Sequence, residues 1–205
     1  MASAIDWQLR HGSARVLMVG EGLRRPVVLA AGEAGPTDLA KFEAGVDHTS
    51  YSFLGELRAR GYDLILVGYD ARAVTLADQA DAVQEALLRA RAFREGNASL
   101  AVGGIGRGAL AARYALAKAE QEIISHETST YFSYNGSAPS SEEGAELKAF
   151  GGWPQLPRLL KMVSGDFTSA LGDEDFDEAK AGAANPGGPL ITKELGSWLL
   201  DGLNG

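Results

Sequence analysis

The sequence predicts an α/β fold, with a doubly wound and mostly parallel sheet. Five short apolar runs alternate with helical patterns, and several runs are apolar at consecutive positions, as in strands covered on both faces. The chain has 205 residues, of which 45% are hydrophobic, which is enough to bury the core of one domain. Strands that alternate with helices imply right-handed crossovers between parallel strands.

The predicted strands occupy the first two thirds of the chain, at 14–20, 26–31, 63–69, 100–103 and 130–134. A helix is predicted from Ser50 to Arg60, because Gly61 follows it in the manner of a helix C-cap. A second is predicted from Thr75 to Arg94, where apolar residues recur at helical spacing. These elements form the βαβ pattern on which the fold class depends.

The texture changes after Asn135, and the sequence there predicts helices only. They lie near 142–149, 156–162, 176–181 and 191–203, with breaks at glycine and proline. We therefore divide the chain into a core, 1–135, and a helical cap or oligomerisation segment, 136–205. Apolar faces such as that of Trp198, Leu199 and Leu203 are expected to hold a homodimer.

Composition excludes several classes of function. A net charge of −8 argues against nucleic acid as a partner, because phosphate binding depends on clustered Lys and Arg. The absence of cysteine excludes disulfides, thiolate zinc sites and a cysteine nucleophile. No apolar run is long enough for a membrane span, and residues 1–7 lack the pattern of a signal peptide. We expect a cytoplasmic protein with a small-molecule ligand, no membrane partner, no metal and no cofactor.

The most informative motif is a tight glycine turn, Gly104-Ile105-Gly106-Arg107-Gly108, between a predicted strand and a helix. A G-x-S-x-G nucleophile elbow requires this strand–turn–helix context, and here Gly106 stands at the serine position. With the following residues, Ala109 to Ala117, the motif resembles the α/β-hydrolase superfamily, in its bacterial lipase and esterase branch. The resemblance covers roughly residues 25 to 135. It implies the fold, whereas the missing serine argues against hydrolysis.

The histidine of a catalytic triad is also missing. In the superfamily the acid and then the histidine follow the serine along the chain, but His11 and His48 precede the elbow. His126 lies just before a predicted strand, at the amino edge of the sheet, and is expected to be a surface or capping residue. A complete hydrolase would add strands that carry the acid and the histidine, so we expect a reduced version of the fold.

Polar groups at the carboxyl ends of the predicted strands can still form a site. The backbone N–H of Arg107 and one from the 32–34 turn take the places of an oxyanion hole, which suits a carboxylate, enolate or carbonyl oxygen. We assign polar catalytic roles to Arg107, Asp70, Glu33 and Tyr134. We assign ligand contacts to Gly32, Ala34, Tyr69, Gly106 and Asn135.

Several functions remain open. The first is a ligand-binding protein or non-hydrolytic enzyme that catalyses a cyclisation, addition, isomerisation or lyase step on a small organic acid or carbonyl compound. The second is a catalytically dead homologue kept for interaction. The third is a hydrolase with Ser133 or Ser137 as nucleophile, disfavoured because a serine without an adjacent base is a weak nucleophile. Gly104, Gly106 and Ala109 also fit a relaxed dinucleotide fingerprint, but Asn135 stands where an acidic residue is expected.

Overall fold

The computed structural model describes residues 3–203, which form an α/β structure of ten strands and six helices. The strands are β1 Ser3–Leu9, β2 Gly12–Met18, β3 Pro26–Ala30, β4 Asp47–His48, β5 Tyr51–Ser52, β6 Asp63–Tyr69, β7 Leu100–Ile105, β8 Thr128–Tyr134, β9 Arg158–Val163 and β10 Glu178–Ala181. The helices are α1 Leu39–Val46, α2 Phe53–Ala59, α3 Leu76–Phe93, α4 Arg107–Gln121, α5 Ser141–Ala149 and α6 Lys193–Gly202.

Eight of the strands form one sheet in the order β1-β2-β6-β3-β7-β8-β9-β10. The run from β6 to β10 is parallel throughout, while β2 pairs antiparallel with both β1 and β6. The predicted fold class is therefore confirmed, and the five predicted strands correspond to β2, β3, β6, β7 and β8. β4 and β5 form a small separate hairpin.

The chain reverses its direction across the sheet at β3 and β7. From β3 it moves to one neighbour, β6, and then crosses to the other side to add β7, β8, β9 and β10 in turn. Open α/β sheets bind ligands outside the carboxyl ends of the strands at such a switch point. The turn after β3 and the turn after β7 therefore mark the part of the sheet edge where a site is expected.

Packing at the centre of the sheet is dense. Every residue of β3 and of β6 is buried, as the consecutive apolar positions predict for strands covered on both faces. Helices α3 and α4 pack against each other, and α2 packs against α6. Helix α3 begins with a capping box between Thr75 and Asp78, and Gly61, just past α2, has a φ of +75°, as expected at a helix C-cap.

Two of the four helices predicted after Asn135 are wrong. Residues 158–163 form β9 beside β8, and residues 178–181 form β10 at the edge of the sheet. Leu156, Leu159 and Leu160 have helical spacing, but a short apolar run in a buried parallel strand has no periodicity of its own. The sheet is therefore not reduced at this end, while α5 and α6 agree with the prediction.

Helix α6 buries its apolar face within the same chain. Leu195, Leu199 and Leu200 are buried and belong to the hydrophobic core, and α6 contacts α2 and β9. Because these three side chains are buried within the chain, they are not open to a partner subunit. The homodimer stays a prediction. Within residues 3–203, no helix has the length and apolar character needed to cross a membrane.

Candidate functional site

The turn between β7 and α4 has the backbone shape of a nucleophile elbow. Gly106 caps α4 with φ of +53° and ψ of −119°, a left-handed conformation that favours glycine. Its N–H donates to the carbonyl of Tyr134 at 2.9 Å, and its carbonyl accepts from the N–H of Ser137 at 3.1 Å. The elbow is thus held against the carboxyl end of β8 on both sides of the glycine.

The three glycines of the elbow differ in the space around them. A Cβ at Gly104 would overlap the backbone of Gly108, and a Cβ at Gly108 would overlap the carbonyl of Ala30. These two positions therefore require glycine for close strand–helix packing. A Cβ at Gly106 would lie 3.7 Å from the carbonyl oxygen of Gly32, an ordinary contact. The position that carries a nucleophile in hydrolases has room for a side chain and has none.

Two elements meet at Gly106, namely the turn after β3 and the start of α4. The turn at Gly32 follows β3 directly and lies against the elbow. Arg107 is the first residue of α4, and the first N–H groups of a helix have no acceptor within it. The positive end of the dipole of this 15-residue helix also lies here. The start of α4 thus offers the N–H of Arg107 as a donor, while the atom of Gly32 nearest to the side-chain position of Gly106 is its carbonyl oxygen.

Two cavities adjoin the elbow, each of about 230 Å³. The first is lined by Ala31, Gly32, Glu33, Thr37, Lys41, Phe42, Gly45, Ile105 and Leu190. The second is lined by Ile105, Tyr134, Asn135, Ser164, Asp166, Asn185, Gly188, Pro189 and Leu190. Ile105, next to the elbow, and Leu190 line both, so the cavities lie on two sides of the same turn. The second is the more polar of the two in its residues.

The loops after β9 and β10 bring an acid and an amide to the second cavity. Asp166 follows β9, and Asn185 follows β10. With Gly106 these residues reproduce the chain order of a hydrolase triad, in which the nucleophile precedes the acid and the acid precedes the histidine. The two strands that the sequence analysis did not predict thus carry the expected acid position. The residue that follows β10 at the cavity is an asparagine and not a histidine.

Asp166 is held as a carboxylate. The carboxylate accepts hydrogen bonds from the Ser164 hydroxyl, from the backbone N–H of Asp166 itself and from the N–H of Asn185. These bonds lower the pKa of Asp166 below the ordinary value. The Asn185 amide donates through Nδ2 to the carbonyl of Pro189 at 2.6 Å. An amide cannot take a proton from a nucleophile at neutral pH, so Asn185 is no substitute for the histidine of a triad.

The side chain of Arg107 is engaged away from the turn. Its Nη2 lies 2.6 Å from Oε1 of Glu143 on α5, and its Nε donates to Gln79 on α3 at 2.8 Å. Both members of the ion pair are mostly buried, with 24% and 18% of the side chains exposed. The guanidinium therefore links three helices and is neutralised by Glu143. The side chain of Arg107 therefore brings no unpaired positive charge to the turn. Its backbone N–H stays at the start of α4.

Tyr134 and Asn135, at the end of β8, both line the second cavity. The Tyr134 hydroxyl accepts the N–H of Thr192 at 3.3 Å, and burial raises the pKa of this phenol, with a further contribution from the charge of Asp166. Asn135 exchanges two hydrogen bonds of 2.8 Å with Ser164. Asn135 thus fixes the loop that carries Asp166, while the Tyr134 phenol remains protonated at neutral pH.

The other predicted site residues lie at or just after the carboxyl ends of β3 and β6. Glu33, exposed, lines the first cavity, whereas Ala34 is exposed and lines neither. Asp70 binds the guanidinium of Arg72 and also lies outside both cavities. Tyr69 is buried, and desolvation raises the pKa of its phenol. Of this group, the structure brings only Glu33 and Gly32 to the elbow.

None of the three histidines lies at the site. His126 is buried at the amino end of β8, where its Nδ1 accepts the N–H of Thr128 and its Nε2 lies 3.2 Å from Glu120. His126 thus binds the backbone at the start of β8, as expected of a capping residue, and it is buried and not at the surface. His11 lies near Asp78, and His48 near Ser50. Within residues 3–203, no group of three or more His, Asp or Glu side chains is arranged to hold a metal ion.

The sequence analysis missed Ser164, Asp166 and Asn185. Each lies in a loop that follows a strand predicted as helix, so no sheet edge was expected there. A signal was present in the glycines, since Gly165 and Gly182 each follow their strand closely and mark the turn where the edge of a sheet ends.

Comparison with known proteins gives structural neighbours without sequence relatives. No protein-family model matches the sequence, and no curated protein matches it. An esterase from Pyrobaculum calidifontis superposes with a TM-score of 0.64 at 16% identity, over 99% of this chain and 84% of the esterase. A fungal esterase from Rhizomucor miehei gives 0.59 at 10% identity, over 100% and 83%, and carboxyl esterase 2 from Tuber melanosporum gives 0.55 at 12%, over 80% and 67%. The chain has the α/β-hydrolase fold.

Proposed function

We propose that this protein binds a small carbonyl compound at the elbow without hydrolysing it. The observation that carries the proposal is Gly106, which has the backbone of a nucleophile elbow and space above it but no hydroxyl. Hydrolysis through an acyl intermediate needs a nucleophile and a base that act as a unit. Here Asn185 takes the place of the base, so the chemistry lacks both partners.

The donors at the elbow would receive the carbonyl oxygen. They would be the N–H of Arg107 at the positive end of α4, together with an N–H of the 32–34 turn. The sequence is compatible with a small organic acid or a carbonyl compound as the ligand. Glu143 neutralises Arg107, Glu33 and Lys41 offset each other in the first cavity, and Asp166 lines the second, so the electrostatics favour a neutral carbonyl over a carboxylate.

The first cavity would hold an apolar substituent of the ligand. Ala31, Phe42, Ile105 and Leu190 contribute hydrocarbon surface to its lining, and the pocket is partly enclosed by α1. Ligand sites of this kind combine an apolar wall with a few placed polar groups. The ligand class that fits is an acyl compound with its alkyl group in the first cavity and its carbonyl oxygen at the elbow.

The same donors would also stabilise an enolate or another developing oxyanion. This supports the non-hydrolytic reactions left open by the sequence, namely cyclisation, addition, isomerisation or a lyase step. The Tyr134 phenol, with its raised pKa, would act there as a hydrogen-bond donor at neutral pH. Ser133 does not enter this proposal, since its side chain is fully buried away from the cavities.

Calorimetric titration with N-propylhexanamide, a neutral acyl compound, tests the proposal. We expect saturable binding to the native protein, and loss of at least tenfold in affinity for Gly106→Val, whose side chain would fill the space above the elbow. Gly106→Ala is the milder variant, for which φ of +53° costs roughly 1–2 kcal/mol of stability. Gly20→Val is the matched control, because a Cβ at Gly20 meets no atom within 4 Å.

Two results would contradict the proposal. One is the absence of binding to the native protein, which would favour the interaction hypothesis, in which the elbow is only a structural relic. The other is unchanged affinity in Gly106→Val with native thermal melting, which would place the ligand elsewhere.

A further inference from the structure

The second cavity carries an unbalanced negative charge. Of the residues that line it, Asp166 alone is ionisable to an anion at neutral pH, and no Lys, Arg or His is among them. The groups that hold the Asp166 carboxylate are neutral donors, namely the Ser164 hydroxyl and two backbone N–H groups. Asp166 is itself exposed, so a ligand in the cavity can reach it.

The charge of Asp166 is unbalanced because its neighbour Asn185 cannot become a cation. In a working triad the acid faces a histidine that becomes a cation during the reaction. Here Asn185 remains neutral, and its Nδ2 donates to Pro189, which leaves its Oδ1 as a further acceptor at the cavity. The cavity therefore offers a carboxylate and an amide oxygen, and it supplies no cation to balance them.

We propose that this second cavity binds a protonated amine of the ligand, with Asp166 as the counter-ion and Asn185 as a second acceptor. An ammonium group has three donors and suits a pair of oxygen acceptors. Because Ile105 and Leu190 line both cavities, a carbonyl compound at Gly106 would extend one substituent into each. The ligand class is thus an acyl compound with an amine on the far side of the carbonyl, an inference that rests on the proposed function.

The test compares two isosteric probes. N-(2-aminoethyl)hexanamide carries an ammonium group where N-propylhexanamide has a terminal methyl group, and the two share the acyl part. We expect the ammonium compound to bind the native protein roughly 3- to 10-fold more tightly. This preference should fall as ionic strength rises from about 0.01 M to about 1 M, since the screening length shrinks from roughly 30 Å to roughly 3 Å.

Variants identify the carboxylate that is responsible. Asp166→Asn should bring the ammonium compound to the affinity that the same variant has for the neutral one. Glu122→Gln, at an exposed position outside both cavities, is the control for net charge and should keep the preference. If Asp166→Asn does not fold, as judged by its thermal melting, the salt dependence of the native protein decides.

The outcomes separate this inference from the proposed function. Equal affinity of the two probes, or a preference that salt does not change, overturns the inference and leaves the proposed function standing. A preference abolished by Glu33→Gln and retained by Asp166→Asn also overturns it, because the charge would then be sensed in the first cavity. Absence of binding by both probes defeats the proposed function and the inference with it.

Discussion

The carboxylate of Asp166 accepts a hydrogen bond from the backbone N–H of Asn185. This bond joins the loop after β9 to the loop after β10 at the second cavity. The elbow itself carries glycine, and the two loops present the side chains of Asp166 and Asn185 to the second cavity.

Arg107→Ala is expected to lower stability more than ligand affinity. The substitution removes hydrogen bonds to Gln79 and Glu143 and leaves a mostly buried carboxylate without a partner, at a cost of about 2 kcal/mol. For a chain of this size that lowers the melting temperature by roughly 4–8 °C. Calorimetric unfolding measures it. The matched control is Arg24→Ala, whose ion pair with Glu95 is exposed and should contribute at most about 1 kcal/mol.

A second result concerns the ligand. The affinity of the Arg107→Ala variant for N-propylhexanamide should stay within about threefold of the native value, because the backbone N–H survives the substitution. A loss of affinity greater than tenfold in a variant that melts like the native protein would show that the guanidinium itself contacts the ligand.

The stability that Glu143 contributes depends on pH. Burial opposes ionisation of this carboxyl, but hydrogen bonds from Arg107 and Ser140 outweigh it and lower its pKa below the ordinary 4.5. A carboxyl with a depressed pKa stabilises the folded state above the pKa of the unfolded chain, and this contribution is lost as pH falls through the folded value. The difference in unfolding free energy between native protein and Glu143→Gln should therefore be constant near neutrality and shrink below pH 4.5. A difference that grows on acidification would contradict this sign.

His126→Ala should destabilise the protein without affecting the site. The histidine accepts the N–H of Thr128 and lies beside Glu120, which also accepts the N–H groups of Gln155 and Leu156. Loss of these buried contacts should cost about 2 kcal/mol, measured by denaturant unfolding. The affinity for N-propylhexanamide should remain native, since His126 lies at the amino edge of the sheet. Reduced affinity in a folded variant would argue that the histidine reaches the site after all.

Residues around the elbow show what the sequence could predict. Gly104, Gly106 and Gly108 identified the strand, the turn and the helix, because the close packing at 104 and 108 requires glycine and the positive φ at 106 favours it. Among the five predicted strands, β3 and β6 were the clearest, because they are buried at every residue and so are apolar at consecutive positions. The site roles of the polar residues at the ends of these strands stay predictions, and the partners that they choose, such as Glu143 for Arg107, are set by tertiary packing.

The end of the sheet was harder to predict for two different reasons. β9 carries Leu159, Leu160 and Met162, a spacing that fits a helix as well as a buried strand. β10 is a short edge strand, largely exposed, with no apolar pattern at all. Asp166 and Asn185 follow these strands, so their place at the second cavity could not be predicted until the strands themselves were placed.

Labelling with a fluorophosphonate probe tests the central claim most directly, in the native protein, Gly106→Ser, Asn185→His and the double variant. Native protein and both single variants should remain unlabelled, because removing either the serine or the histidine of a triad costs nearly as much as removing the whole triad. The double variant should be labelled at position 106, where Asp166 can orient the new imidazole. Stoichiometric labelling of any serine in the native protein, or no labelling of a double variant that melts like the native protein, would contradict the account.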